Sequence, residues 1–173
     1  MRCYLAKLKL FFRNVPSEIK DEEKIVKVIF NPLNVNKKGG LKPNTFRCPN
    51  DDLSVNRLNF TTLDLCKCQG IELEKKASIE IASQKKFFGI ALIFAKQIRS
   101  FSIRILYKPV FGNKAHAEIV TGVRREIGEA MPAQYIYLTE MLADASRIYK
   151  DSDTKKRKWI SNEVASEISE LKE

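Results

Sequence analysis

The chain has 173 residues, 44% of them hydrophobic, and a formal net charge of +10. This length suits one compact domain with a core of its own and leaves room for only a small additional element. The longest apolar run, residues 87–95, falls well short of the about 20 residues that a membrane-spanning helix needs, and Lys7 and Lys9 interrupt the N-terminal apolar stretch, unlike a signal peptide. We therefore expect a cytoplasmic protein without membrane insertion.

The first part of the chain predicts a strand, a helix and a loop in that order. Residues 5–12 alternate for part of their length, as a strand does. Ser17 can cap a helix, and the acidic residues that follow it would lie near the positive N-terminus of that helix. We predict one N-terminal helix there, with Ile19, Val26, Ile29 and Phe30 as its buried stripe, although the β-branched run 25–30 leaves a strand as the alternative. Three prolines within residues 31–50 indicate a long loop.

The middle of the chain favours a sheet. Leu53–Arg57 alternates like a strand, and Thr61 or Thr62 can cap a short helix that runs through Cys68 and that Gly70 closes. Further strand patterns occupy residues 77–82, 87–94, 101–106 and 115–120.

Helical spacing returns near the C-terminus. Apolar residues recur over 133–149, and a second stripe runs from Trp159 to Leu171. The predicted fold is therefore α+β, with a mostly antiparallel central sheet, one N-terminal helix and two C-terminal helices. Residues 1–150 form a single α+β domain in this prediction, and residues 151–173 form a C-terminal helical extension.

The positive charge is concentrated in the middle segment. Residues 85–125 contain nine basic side chains and one acidic side chain. Such a surface attracts polyanions because binding releases their counterions, and the alternative is a solvated face that aids solubility. The candidate polyanion-binding residues are Lys37, Lys38, Lys96, Arg99, Arg104, Lys108, Lys114, Arg124 and Arg125.

Phenylalanines and a tyrosine are interleaved with these basic residues between 87 and 111. Outward aromatics on basic strands can stack on bases, whereas inward ones form the core. The basic run Lys155–Lys158 is either a solvated turn or an additional polyanion contact. The helix predicted after it would dock on its own domain or on a protein partner.

His116 is the single histidine of the chain, which excludes a two-histidine zinc site. On a strand, His116 and Glu118 would face the same side and could meet at the edge of a pocket. Asp52 is the third catalytic candidate, in a small enzyme whose Lys37–Gly40 loop would hold a phosphate-bearing substrate. The alternative is a structural histidine, hydrogen-bonded at the end of a strand.

The metal signals are weak. Cys66-Lys67-Cys68 lacks the spacing and the second pair of a zinc site, even with Cys48 and His116 as distant candidates. Asp51-Asp52 lacks the third acid of a magnesium site. We expect no metal and no cofactor, and we interpret the cysteines as separate, reduced thiols in apolar surroundings.

Three segments resemble landmarks of a family of small bacterial proteins without established function: Phe46-Arg47-Cys48-Pro49, Leu53-Ser54-Val55 and Lys114–Ile119. The resemblance covers about residues 30–145. It implies a central sheet before a C-terminal helix, proximity between the His116 segment and the loop before Leu53, and, by analogy, an accessory role in bacterial defence or toxin immunity. The chain departs from the pattern at Lys114-Ala115, where a proline or glutamate would be usual, and in its additional C-terminal helix.

These observations favour a basic, non-enzymatic accessory protein that binds an acidic partner, either nucleic acid or protein. The alternative is the small enzyme with His116 as general acid and base. A cleft that holds His116, Asp52 and basic residues would favour the enzyme, and a convex basic face with a buried His116 would favour the binding protein. The sequence does not determine the oligomeric state.

Overall fold

The computed structural model describes residues 14–48, 50–80, 85–123, 129–156 and 158–160. Within these residues, six antiparallel strands form one sheet in the order β4-β5-β2-β1-β3-β6. The strands are β1 (Lys24–Asn31), β2 (Leu53–Arg57), β3 (Lys86–Phe94), β4 (Arg104–Tyr107), β5 (His116–Val120) and β6 (Arg147–Lys150). The helices are α1 (Leu63–Glu80), α2 (Ala95–Ser100) and α3 (Ala133–Ala145), with 3-10 turns at Pro43–Phe46 and Leu58–Phe60. The predicted α+β class and antiparallel sheet are confirmed.

The sheet separates two apolar layers. One face, here called the α3 face, packs against α2 and α3 through residues such as Ile25, Ile29, Val55, Ile93 and Ile119. The opposite α1 face packs against α1 through Val26, Val28, Phe30, Ile90 and Leu92. Because side chains alternate along a strand, β1 and β3 supply both layers, which explains their nearly continuous apolar sequences.

The predicted N-terminal helix is wrong for residues 24–31, which form β1 at the centre of the sheet. Ile19 is buried in the core on the α3 face without being part of a helix. Acidic residues after Ser17 favoured a helix, but the run from Ile25 to Phe30 gains more from burial on both faces of a sheet. The strand that was kept as the alternative is therefore correct.

Helix α1 is much longer than the short helix predicted to end at Gly70. Thr62 does cap it, since its hydroxyl accepts from the backbone N–H of Leu65 at 3.3 Å. Gly70 lies inside the helix, where a Cβ atom would come within 2.2 Å of the Phe87 ring. The glycine therefore allows close packing of helix on sheet, and the strand predicted for residues 77–82 is wrong for 77–80, which continue the helix.

The later elements agree with the sequence in part. The strands predicted around 87–94 and 115–120 are confirmed as β3 and β5. The strand predicted from residue 101 begins only at Arg104, because Ser102 adopts a φ of 60° in a turn after α2. Helix α3 starts at the predicted residue 133 but ends at Ala145, and Ile148 and Tyr149 lie in β6 beside β3.

The second C-terminal helix was predicted over residues that lie mostly outside the described part of the chain. The described residues 151–156 and 158–160 form turns, bends and irregular segments, so Trp159 and Ile160, the first residues of the predicted stripe, are not helical. They are fastened to α1, because the fully buried Lys67 amine forms an ion pair with the fully buried Asp151 carboxylate. The same amine donates to the carbonyl oxygens of Asp153 at 2.7 Å and Lys158 at 2.9 Å.

Candidate polyanion interface

In the described part of the chain, helix α1 packs mainly over one half of its sheet face, and no described helix packs over the other half. The apolar side chains beneath it come from β1, β3 and β6. On the strands β2, β5 and β4 the same face carries Ser54, Asn56, His116, Glu118, Arg104 and Leu106, here called the open face. Ser54 and Arg104 are exposed, and Leu106, His116 and Glu118 are half-buried.

The hairpin between β4 and β5 extends from one end of the open face. Its tip is a tight turn in which Val110 and Asn113 exchange backbone hydrogen bonds of 3.2 and 2.9 Å. Gly112 takes a φ of 78° in that turn, a conformation that favours glycine. Phe111 occupies the outermost position and is 97% exposed.

Side-chain amides anchor the hairpin to the body of the protein. The Asn113 amide donates to the Asn56 side chain at 2.7 Å, and the Asn56 amide donates to Gln69 of α1 at 2.9 Å. The Asn113 side-chain oxygen also accepts from the backbone N–H of Ala115 at 3.2 Å. The chain of amides links the hairpin tip through β2 to α1, so the tip has a fixed position relative to the sheet.

A buried arginine supports the base of the same hairpin. The Arg57 guanidinium donates two hydrogen bonds of 2.7 Å to the Glu23 carboxylate, and it also donates to the carbonyl oxygens of Pro16 and Glu18. Its carbon lies 5.3 Å from the ring centre of Tyr107, the last residue of β4. Because its donors are used inside the protein, Arg57 orients the hairpin and is not a contact for an external anion.

His116 is the first residue of β5 and contacts the backbone of the hairpin. Its Nδ1 lies 2.5 Å from the Lys108 carbonyl oxygen across the ladder. Since a carbonyl oxygen only accepts, Nδ1 carries the proton in this contact. His116 is therefore half-buried and hydrogen-bonded at the start of a strand, which is the geometry that the structural alternative predicts.

The three candidate catalytic residues are not brought together. His116 and Glu118 share the open face, as strand spacing predicts, but Asp52 lies at the other end of the β2–β5 ladder. Leu53 pairs with Ile119 and Asn56 pairs with His116, which separates the two ends by about 10 Å.

The loop before Leu53 holds the segment that follows β5. It lies beside β5, but at the end away from His116. The Asp51 carboxylate accepts from Thr121 N at 2.9 Å, Thr121 Oγ1 at 2.6 Å and Gly122 N at 2.7 Å. Asp51, at a φ of 55°, therefore fastens the loop after β5.

The predicted polyanion-binding residues are distributed over several parts of the surface. Lys37 and Lys38 lie at the end of the sheet opposite the hairpin tip, and Arg124 and Arg125 lie outside the described residues. Arg99 already forms an ion pair with Asp21, and the Lys96 amine lies 5.9 Å from the Phe94 ring centre. The hairpin and its edge strand bring together Arg104, Lys108 and Lys114, the first two of which are exposed.

The Lys37–Gly40 loop is not an anion cradle in this structure. The Asn36 side-chain oxygen accepts from Lys38 N at 2.9 Å and from Gly40 N at 3.0 Å, and its backbone oxygen accepts from Gly39 N at 3.0 Å. These backbone donors, which a phosphate would need, are used to close the turn.

A second polar cluster, which the sequence did not indicate, lies where β1 and β2 stop pairing. The half-buried Lys27 amine donates to the Ser54 carbonyl oxygen at 3.2 Å. Burial lowers the pKa of Lys27 to about 8, with the Cys48 thiol acting in the opposite direction. The Cys48 sulfur lies 3.1 Å from an Asp52 carboxylate oxygen, and the Tyr135 hydroxyl contacts the Cys48 backbone.

The cysteines do not gather around a metal site in the described residues. Cys66 is a fully buried residue of α1, and burial raises its pKa to about 12, which disfavours the thiolate that zinc requires. Cys48 is free and lies near the opposite face of the sheet. Cys68 is disulfide-bonded, so the prediction of four separate reduced thiols is wrong for this residue.

The comparisons with known proteins do not assign the chain to a group. No protein-family model, curated protein or solved structure matches it. In the parts of the chain that the structure describes, no helix has both the length and the apolar character of a membrane span.

Proposed function

We propose that the chain is a non-enzymatic protein that binds a polyanionic partner through the open face and the β4–β5 hairpin. One observation supports this most directly: the edge strand β4 and the start of the hairpin expose Arg104 and Lys108 on the same side of the sheet. These two residues are four positions apart, about 13 Å along an extended strand, a spacing suited to successive negative groups of an extended polymer.

The separation of the candidate catalytic residues favours binding over catalysis. His116 is held against the hairpin backbone, Asp52 lies at the opposite end of its ladder, and the Lys37–Gly40 donors close their own turn. An acid–base enzyme needs its reacting groups within hydrogen-bond reach of one substrate. A binding surface needs only accessible charge and a fixed shape.

Salt dependence tests this proposal. We expect the affinity for heparin, a polyanion without bases, to fall as salt rises, because binding releases counterions. Lys108→Ala should weaken binding and reduce the slope of log affinity against log salt by about 1. Lys76→Ala, an equal charge change on the exposed surface of α1, should leave both unchanged.

Glu118→Gln is a variant that should change heparin affinity in the opposite direction. Glu118 contributes negative charge to the open face, so the neutral amide should raise heparin affinity. Heparin affinity that is independent of salt, or that responds equally to the Lys108 and Lys76 substitutions, would contradict the proposal.

A further inference from the structure

The hairpin tip presents an aromatic ring to solvent. Phe111 is 97% exposed and its neighbour Val110 is 48% exposed. Leaving such a ring in water forgoes about 2 kcal/mol of burial free energy. The exposure is also more complete than that of Tyr137, an aromatic residue on α3 that is 59% exposed.

The ring stands on a rigid support. The reciprocal backbone hydrogen bonds of Val110 and Asn113 fix the turn, and the Asn113 side chain ties it to Asn56. A contact made by a preorganised aromatic side chain costs little conformational entropy. Phe111 is therefore placed to make a ligand contact without a prior folding step.

Positive charge continues from the tip along the edge of the sheet. Lys108 is three residues before Phe111, and Arg104 is four residues before Lys108 on the same face. An aromatic platform beside a cationic track is the arrangement that holds single-stranded nucleic acid, because bases stack on the ring while phosphates follow the cations.

We propose that this surface binds single-stranded nucleic acid, with a base stacked on Phe111 and the backbone phosphates running past Lys108 toward Arg104. The inference rests on the proposed polyanion-binding function and adds the class of ligand. A flat anionic bilayer suits the surface less well. With the tip inserted, Arg104 would lie about 20 Å from the lipid, beyond the about 10 Å range of its charge at 0.1 M salt.

Fluorescence anisotropy with a labelled single-stranded oligonucleotide of about 12 nucleotides tests the inference. Phe111→Ala should lower affinity about tenfold, as expected for the loss of one stacked base. Heparin affinity should not change. Tyr137→Ala, the matched substitution of an exposed aromatic on α3, should bind the oligonucleotide like the natural chain.

Two further substitutions separate stacking from general apolar contact. Phe111→Trp should keep the affinity, and binding should quench the added indole emission beyond any change of the Trp159 signal in the natural chain. Phe111→Leu should behave like Phe111→Ala, because an aliphatic side chain has no ring on which a base can stack. Full affinity in Phe111→Leu would overturn the stacking inference.

The remaining outcomes distinguish the inference from the proposed function. If heparin and the oligonucleotide both bind and Phe111→Ala weakens neither, the inference fails while the proposed function stands. If Phe111→Ala instead abolishes binding to phosphatidylserine vesicles and leaves the oligonucleotide unaffected, the tip inserts into a membrane and the inference is overturned. If neither polyanion binds the natural chain, the proposed function itself fails.

Discussion

Lys27 is a charged residue on the sheet face that packs against α2 and α3. It lies between the core residues Ile25 and Ile29 of β1, and its amine donates to the Ser54 carbonyl oxygen, close to where the β1–β2 ladder ends. Burial disfavours the charged amine and lowers the pKa of Lys27 to about 8. A core composed only of apolar residues would contain no such titrating group.

This shift makes stability depend on pH in a defined direction. The folded protein releases the Lys27 proton near pH 8, whereas the unfolded chain keeps it up to the ordinary value of 10.5. The unfolded state therefore binds more protons between these values, and the free energy of unfolding rises as pH increases through that window. Below about pH 8 both states are charged, and the full cost of burial remains.

Lys27→Met tests this linkage. The methionine removes the buried charge and the proton equilibrium together. Between about pH 7.5 and 10, the natural chain should gain stability relative to Lys27→Met, by at most about 3 kcal/mol. Urea unfolding at several pH values measures the difference, with Lys76→Met on the exposed surface of α1 as the control. A constant difference between the two proteins across this range would be inconsistent with a lowered pKa of Lys27.

At the scale of elements, the contact between α1 and β3 depends on a missing side chain. A Cβ on Gly70 would meet Phe87 Cδ2 at 2.2 Å and Val28 Cγ1 at 3.0 Å. Phe87 is buried, and its ring packs edge-on against Trp159 with centroids 6.3 Å apart. The ring therefore has little space into which it can move.

We therefore expect Gly70→Ala to change the free energy of unfolding in the direction opposite to the usual one. In an open helix this substitution stabilises by about 1 kcal/mol, because alanine has the higher helix propensity. Here overpacking against Phe87 should outweigh that gain and lower the free energy of unfolding by about 1 to 3 kcal/mol. Chemical denaturation of the two proteins measures it. Stabilisation by Gly70→Ala would mean that α1 does not approach the sheet as closely as described.

At the scale of the whole molecule, a buried ion pair joins the region after β6 to the middle of the chain. The Lys67 and Asp151 side chains are both fully buried, and the Lys67 amine directs its other hydrogen bonds to the carbonyl oxygens of Asp153 and Lys158. In addition, the Trp159 backbone N–H donates to Asp64 at 2.7 Å. Residues 151–156 and 158–160 therefore contribute to the packing around α1.

Removing one partner of this pair should be costly. Lys67→Met leaves the Asp151 carboxylate buried without its cation and should lower the free energy of unfolding by about 3 to 5 kcal/mol. The double substitution Lys67→Met with Asp151→Leu should recover part of that loss, since no charge then remains buried.

An exposed ion pair provides the comparison. Lys86 is 76% exposed and pairs with Glu74, so Lys86→Met should change stability by no more than about 1 kcal/mol. Urea unfolding measures all three variants. A loss for Lys67→Met no larger than that for Lys86→Met would show that Asp151 and the described residues after it do not pack against α1 in solution.

The sequence predicted some elements better than others, for identifiable reasons. Residues 53–57, 87–94 and 116–120 are strands in which local pattern and burial agree. For residues 24–31, the helix-cap chemistry after Ser17 competed with burial on both faces of a sheet, and burial prevailed. Tyr149 fits the helical spacing of α3 but lies in β6, where it pairs with Ile90 of β3. A periodic pattern of apolar residues along the chain does not encode such a pairing between distant residues.

The candidate interface shows the same division. The concentration of basic residues between 85 and 125 could be read directly, because charge composition does not depend on folding. The anchoring roles of Asn56 and Arg57 could not, because their partners Asn113 and Glu23 are distant in sequence. The Gly112-Asn113 pair between two strand patterns was a signal for the hairpin, but it does not reveal that Phe111 points into solvent.

By itself the sequence determined the α+β class, the antiparallel character of the sheet, the basic middle segment and the uniqueness of His116. Each follows from local pattern or composition. Only the tertiary structure decided which basic residues share a surface, that His116 supports a hairpin, and that Asp52 lies apart from it. These outcomes depend on strand order and register, which bring distant segments together or hold them apart according to how the whole chain buries its apolar surface.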